Sequence, residues 1–302
     1  MTNDLPDIQK TEPYIKTPIN QVGVERVAVP FKLESKTGAF NQMVAEVSMR
    51  TNLEANVKGI SMSRLLRTLK VYLDLPLKQK LIQQILQEIA VAVGSSESYM
   101  KFDFLMPIIR PSALTDNEFP IYHKCRFEGQ LTTKPGVTKK DLGDGKFGVS
   151  VGDKWDFKFY QGVVVQYASY CPCSAELSKD LMSKGSIGFP HAQRSFAHIL
   201  VECGSDNYIW LEDLVEATEK AIKTIPYPII KREDEQHIAK IAAENPIFVE
   251  DAIRSISSQI DSIPGVHDWI IKCIHEESIH TSEAIAVNYK GIKDGFDHRY
   301  YL

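Results

Sequence analysis

The sequence has little that suits a nucleic acid, a membrane or an oxidising compartment. Its 302 residues carry 35 Lys and Arg against 39 Asp and Glu, a formal charge of −4. Nucleic-acid binders ordinarily show a basic surplus, so that class is disfavoured, and only a local basic pocket for a small phosphorylated ligand stays open. A membrane-crossing helix needs roughly 20 apolar residues, and the densest apolar stretch, around 89–93, is far shorter. The opening MTNDLPDIQK lacks the basic cluster and apolar run of a secretion signal. Five cysteines, spread widely apart from Cys171 and Cys173, make no even-numbered disulfide framework and fit a reducing cytoplasm.

What is present is an ordinary globular composition, 43 % hydrophobic and 25 % charged, which excludes global disorder and a disulfide-dense mini-protein. Residues 1–22 carry Pro6, Pro13 and Pro18 and read as an irregular lead-in with some order near its end. Residues 24–33 and 40–53 read as strands. Leu65, Leu66, Leu69 and Leu73 then fall at helical spacing. Leu77, Leu81, Ile85 and Ile89 mark one face of a second helix, stopped at Gly94. Strands resume over 99–109 and 119–132. The Gly-, Lys- and Asp-rich stretch 133–153 reads as a hairpin or connector.

The second half follows the same order. Strands are expected near 155–165 and 193–203. Helices are expected over 211–223 and 246–260, the latter with Asn245 as N-cap and Pro246 as its first residue. Strands over 265–274 and 284–289 close the pattern. The chain therefore reads as two modules, 23–145 and 146–302, each an antiparallel sheet with paired helices on one face. No clear sequence repeat accompanies them. Sheets of this kind have open edges that must be paired or covered, and association of subunits into a closed barrel does so.

The sharpest chemical feature is Cys171-Pro172-Cys173-Ser174 directly after a strand, followed by His191-Ala192-Gln193-Arg194-Ser195 at the start of the next. A thiolate and an imidazole at two strand ends can meet at one metal, with water completing a catalytic zinc site. Taken alone, C-x-C is a weaker signal than paired C-x-x-C motifs, and on spacing alone a buried small residue and a surface histidine is the more ordinary reading. Lys231-Arg232-Glu233-Asp234-Glu235 sits just before a helix, either as a solvated helix start or as the source of a further ligand. Glu250 follows Val249 on an apolar stripe and is expected near the buried side, where a carboxylate needs partners such as the amidine-like edge of a purine. Glu276-Glu277-Ser278-Ile279-His280 gathers acid and imidazole between two strands, where imidazole suits proton transfer near neutral pH. Lys58-Gly59-Ile60-Ser61-Met62-Ser63-Arg64 precedes a helix whose amides, with Arg64 and Arg67, favour an anion; a capped helix with exposed arginines reads as well.

Together KGISMSR (58–64), CPCS (171–174), HAQRS (191–195), KREDE (231–235), ENPIFVED (244–251) and EESIH (276–280) resemble, in order, the type IB GTP cyclohydrolases, a prokaryotic family with the tunnelling fold (T-fold). The resemblance implies an α+β homotetramer that converts GTP and water to 7,8-dihydroneopterin triphosphate and formate, towards folate and 7-deazaguanine nucleosides. It implies a divalent metal, Mn, Zn or Fe(II), on Cys171, His191 and Glu235. It assigns Glu250 to the guanine ring and His280 and Glu277 to proton transfer. Lys58, Arg64 and Arg194 become candidates for the triphosphate.

The sequence also departs from the family. The interval between CPCS and HAQRS is long, with SKDLMSKGSIGF partly inserted. Ala192 stands where asparagine is frequent, Ser61 where histidine is frequent, and Ser282 where a second histidine is often found. The Ser282 change bears on the later steps and on the product. Rival expectations are an archaeal-type relative making a dihydroneopterin cyclic phosphate with Fe(II), a non-catalytic assembly protein with a closed structural zinc, and a thiol redox module on Cys171 and Cys173. The last is disfavoured because C-P-C makes a tight loop without the usual C-x-x-C at a helix start.

Overall fold

The computed structural model describes residues 8–134, 154–204, 208–297 and 299. Among them are strands β1 (Ile19–Glu34), β2 (Phe40–Leu53), β3 (Glu97–Arg110), β4 (Phe119–Thr133), β5 (Trp155–Tyr170), β6 (Ala192–Cys203), β7 (Val266–His275) and β8 (Ala284–Tyr289). The helices are α1 (Met62–Lys70), α2 (Gln79–Val93), α3 (Pro172–Ser183), α4 (Leu211–Ile222), α5 (Arg232–Glu244) and α6 (Val249–Asp261). The strands are hydrogen-bonded neighbours in chain order, β1 to β8, in an antiparallel sheet. Two compact units divide the chain: Met1–Phe104 with Arg126–Tyr160, and Leu105–Cys125 with Gln161–Leu302. The boundary expected at 145/146 lies outside the described residues, as does the expected connector from 135 to 153.

In the first unit, alternation along the strands sends Phe31, Phe102, Phe104, Phe127 and Phe159 to one buried face. Their rings meet at centroid distances of 5.1 Å (Phe31–Phe104), 5.3 Å (Phe104–Phe127) and 5.6 Å (Phe127–Phe159), within the range where aromatic pairs attract. Helix α2 buries Ile82, Ile85, Leu86 and Ile89, each contributing about 1.5–3 kcal/mol. It stops at Gly94, whose φ of 69° is left-handed, as the sequence leads one to expect.

In the second unit, α4 and α6 pack together, and α6 lies on β7 and β8. The buried stripe of α6 is Val249, Ala252, Ile253, Ile256 and Ile260. Fully buried Asp268 accepts hydrogen bonds from the amides of Trp269 (2.8 Å), Gly291 (3.1 Å) and Phe296 (2.8 Å), which ties the segment after β8 to β7.

Two expectations need correction here. The last helix starts at Val249, with Phe248 as N-cap, not at Pro246. Asn245 instead closes α5, its Nδ2 donating to the Ile241 carbonyl at 2.8 Å, and the Ile247 amide is taken by the Tyr170 carbonyl at 2.9 Å. The second half also holds two helices beyond the expected pair. Helix α3 fills the long interval after CPCS, and α5 is the helix that KREDE opens, a helix start as expected.

Gly23 faces the β2 backbone so closely that an added Cβ would lie 1.9 Å from the Met49 carbonyl oxygen. Gly23→Ala is expected to lower stability by about 1–3 kcal/mol through this overpacking. Gly59→Ala, where the nearest atom is 4.0 Å away, is expected to be nearly neutral. Urea unfolding of the two variants beside the parent tests the contrast.

Candidate functional site

The end of β5 turns directly into α3. Cys171 is the N-cap and Pro172 the first helical residue, where its missing amide costs nothing. The Cys171 amide donates to the His191 carbonyl at 3.3 Å, and the His191 amide donates to Ser174 Oγ at 3.3 Å. These bonds hold the CPCS and HAQRS segments side by side. The register of β6 with β7 then sets Ser195 opposite His275. One step further, the Glu276 amide reaches the Arg194 carbonyl at 2.9 Å, and the Glu277 amide turns back to the His275 carbonyl at 2.9 Å. Glu277 thereby faces His191: Nδ1 of the imidazole is 3.7 Å from the carboxylate, and Gln193 stands between them, 2.9 Å from His191 Nδ1 and 3.2 Å from Glu277 Oε1. The main chain thus joins Cys171 to His191, and Gln193 joins His191 to Glu277, at the ends of three neighbouring strands.

Beneath this layer is a buried polar chain that the sequence did not single out. His275 is 2 % exposed. Its Nε2 bonds the Tyr167 hydroxyl at 2.9 Å and its Nδ1 bonds Ser169 Oγ at 3.2 Å, and Ser169 bonds Ser195 at 2.8 Å. Burial pushes the imidazole down to about 4, against the opposing pull of the Glu250 charge. Glu250 thus acts on His275 from the start of α6, but it is exposed rather than buried. The physical reason is helical geometry: Val249 takes the inward position, and one residue further turns about 100° away.

The remaining candidates fall as follows. Glu235 is exposed in the first turn of α5. Its neighbour Asp234 is the buried one. That carboxylate accepts the amides of Leu114 (2.7 Å), Thr115 (3.1 Å) and Lys231 (2.8 Å) and the Thr115 hydroxyl. Burial works against its charge, yet these bonds hold it down to about 2. His280 and Arg194 are exposed. Lys58 and Arg64 belong to the first unit, where both are exposed and Arg64 Nη1 donates to the Ala92 carbonyl at 2.7 Å.

A half-buried thiol and a half-buried imidazole, their main chains joined, are a donor pair that suits zinc and other first-row divalent ions. Among the described residues no three His, Cys, Asp or Glu side chains converge as a group that could hold a metal ion. Cys173 is exposed, and the C-P-C segment lies at a helix start rather than in the expected tight loop.

Solved structures similar to this chain in fold include uricases. A hyper-thermostable AgUricase mutant superposes with a TM-score of 0.55 at 6 % identity, covering 93 % of this chain and 94 % of its own. A uricase from Bacillus fastidious gives 0.53 at 8 % identity, covering 89 % and 92 %. The chain is accordingly a tunnelling-fold protein, with strand ends that gather polar side chains. Residues 5–286 match the family model described as type I GTP cyclohydrolase folE2. The GTP cyclohydrolase FolE2 of Cereibacter sphaeroides is 30 % identical over 292 residues, 95 % of this chain and 76 % of that protein. That of Geobacter metallireducens is 31 % identical over 283 residues, 93 % and 95 %. The chain belongs to the type I GTP cyclohydrolase folE2 family.

The depressed His275 value has a consequence for stability. Between about pH 6.5 and 4 the unfolded chain takes up a proton that the folded chain refuses, so stability falls as pH drops through that window, by at most about 1.4 kcal/mol per pH unit from this group. Above pH 6.5 both states hold His275 neutral and its contribution is level. His275→Asn, which does not titrate, is expected to flatten the pH dependence of the urea midpoint over this window relative to the parent.

Proposed function

We propose that this chain converts GTP and water to 7,8-dihydroneopterin triphosphate and formate, using a divalent metal held by Cys171, His191 and Glu235. The observation that supports the reading is the main-chain joining of Cys171 to His191 and the side-chain link from His191 through Gln193 to Glu277, in a chain of this family. Carbon 8 of a purine is a poor electrophile, and a divalent metal, if held by the Cys171 thiol and the His191 imidazole, would supply Lewis-acid activation of water near neutral pH. Glu250, exposed at the first turn of α6, accepts hydrogen bonds from the guanine N–H edge. A base presenting the wrong edge leaves that carboxylate unpaired, which selects guanine. Glu277, held against His191 through Gln193, and His280, on the turn that follows, move protons as the ring opens and recloses. Arg194, exposed beside this site, offers a cationic partner for the triphosphate.

The active form is proposed to be a cytoplasmic homotetramer. Ile285 and Val287 on the edge strand β8 are 58 % and 50 % exposed, and an edge of that kind calls for a partner. No helix among the described residues is long and apolar enough to cross a membrane.

Metal-stripped protein incubated with GTP and Mn, Zn or Fe(II) under reducing conditions is expected to release formate and a fluorescent oxidised pterin together. Cys171→Ala is expected to lose both. Formate without pterin means that ring opening occurs and later steps stall, as Ser282 in place of a histidine would cause. A cyclic phosphate product identifies the archaeal-type reaction. Neither product with any metal contradicts the proposal and favours a structural role for the thiol and imidazole.

A further inference from the structure

The side chain of Gln193 touches both His191 and Glu277, and its chemistry allows one arrangement. Gln193 is 7 % exposed, and the side chains of His191 and Glu277 are 13 % and 16 % exposed, so water has limited access to any of the three. An ionised carboxylate only accepts hydrogen bonds. The amide nitrogen of Gln193 must therefore face Glu277, as it does at 3.2 Å. The amide oxygen is then the atom 2.9 Å from His191 Nδ1, and an oxygen there only accepts. Nδ1 must carry a proton, and in the neutral ring Nε2 is left with the lone pair.

The backbone fixes the three partners independently. His191 is tied to Cys171 by the 3.3 Å main-chain bond, Gln193 lies in β6, and Glu277 is set by the 2.9 Å turn onto the His275 carbonyl. Gln193 thus spans two anchored side chains and is not carried along by either.

We propose that Gln193 is a positioning residue that locks His191 in its Nδ1–H tautomer, presents Nε2 as the metal donor, and couples that ligand to the Glu277 carboxylate. The inference rests on the proposed assignment of His191 as a metal ligand. Outer partners of this kind set ring orientation and ligand basicity, and their removal ordinarily costs about 10–100-fold in metal affinity. Gln193 is not a catalytic residue in this account, because it acts through His191 and Glu277.

Two substitutions separate its contacts. Gln193→Glu still offers an acceptor to Nδ1 but no donor to Glu277. Gln193→Met offers neither. Metal affinity of the full-length protein is measured with Zn and with Mn by chelator competition, beside His191→Ala, with melting curves to confirm folding. The His191 tautomer is read from ring nitrogen-15 shifts of the metal-free parent. The expected result is an Nδ1–H tautomer in the parent, loss of binding in His191→Ala, a drop of about 10–100-fold in Gln193→Met, and a smaller drop in Gln193→Glu.

Parent-like affinity in Gln193→Met while His191→Ala loses the metal overturns the role of Gln193 and leaves the ligand assignment standing. Parent-like affinity in His191→Ala overturns both. An Nε2–H tautomer in the metal-free parent also overturns the proposal, and that measurement decides the matter even if Gln193→Met fails to fold.

Discussion

The pairing register of β6 with β7 is the constraint on which the site depends. Strands alternate their side chains with a period of two, so a slip of one residue turns every side chain to the opposite face. With Ser195 opposite His275, Gln193 extends past the end of β7 on the same face and meets the turn that begins at Glu276. The same register places Ala197 against Cys273 and Ile199 against Ile271, all fully or nearly fully buried. Core burial therefore enforces a pairing whose far end sets the geometry of His191, Gln193 and Glu277. Stability and site geometry share one device.

The polar layer below the site follows from the same register. Tyr167, Ser169, Ser195 and His275 occupy inward positions where apolar side chains stand elsewhere along these strands. Buried polar groups are costly unless each finds a partner, and here each one does. Desolvation keeps His275 neutral at physiological pH, so the layer adds hydrogen bonds without adding charge beneath Glu250 and Glu277. Glu250, whose charge reaches His275 from the start of α6, is the exposed residue to which the guanine edge is assigned in the proposed function.

Much of the fold was legible because local signals and tertiary burial agree. The strand over 40–53 and the edge strand over 284–289 emerge with the expected bounds, and Gly94 ends α2 in the left-handed conformation. Helix α3 was hidden because its inward face holds little more than Ala175 and Ser178, while Leu177, Leu181 and Met182 are exposed. Helix α5 buries only Asp234 and Ala242, so its stripe is equally faint. Asn245-Pro246 has the chemistry of a helix start, but the Tyr170 carbonyl claims the next amide and holds the segment extended. Of the site, the approach of CPCS to HAQRS was expected from their places at two strand ends, whereas a role for Glu277 came only from the family resemblance. His275 was not expected, since nothing local distinguishes a buried histidine at a strand end. Gln193 carries no charge to draw notice, although it lies only two residues beyond His191, at the start of β6.

The central claim is that Cys171 and His191 bring one sulfur and one imidazole to a single divalent metal. X-ray absorption at the zinc edge of the zinc-loaded protein tests it most directly. The account predicts one sulfur at about 2.3 Å with nitrogen or oxygen donors at about 2.0–2.2 Å, and loss of the sulfur contribution in Cys171→Ala. A shell with no sulfur, or a spectrum unchanged by that substitution, contradicts it.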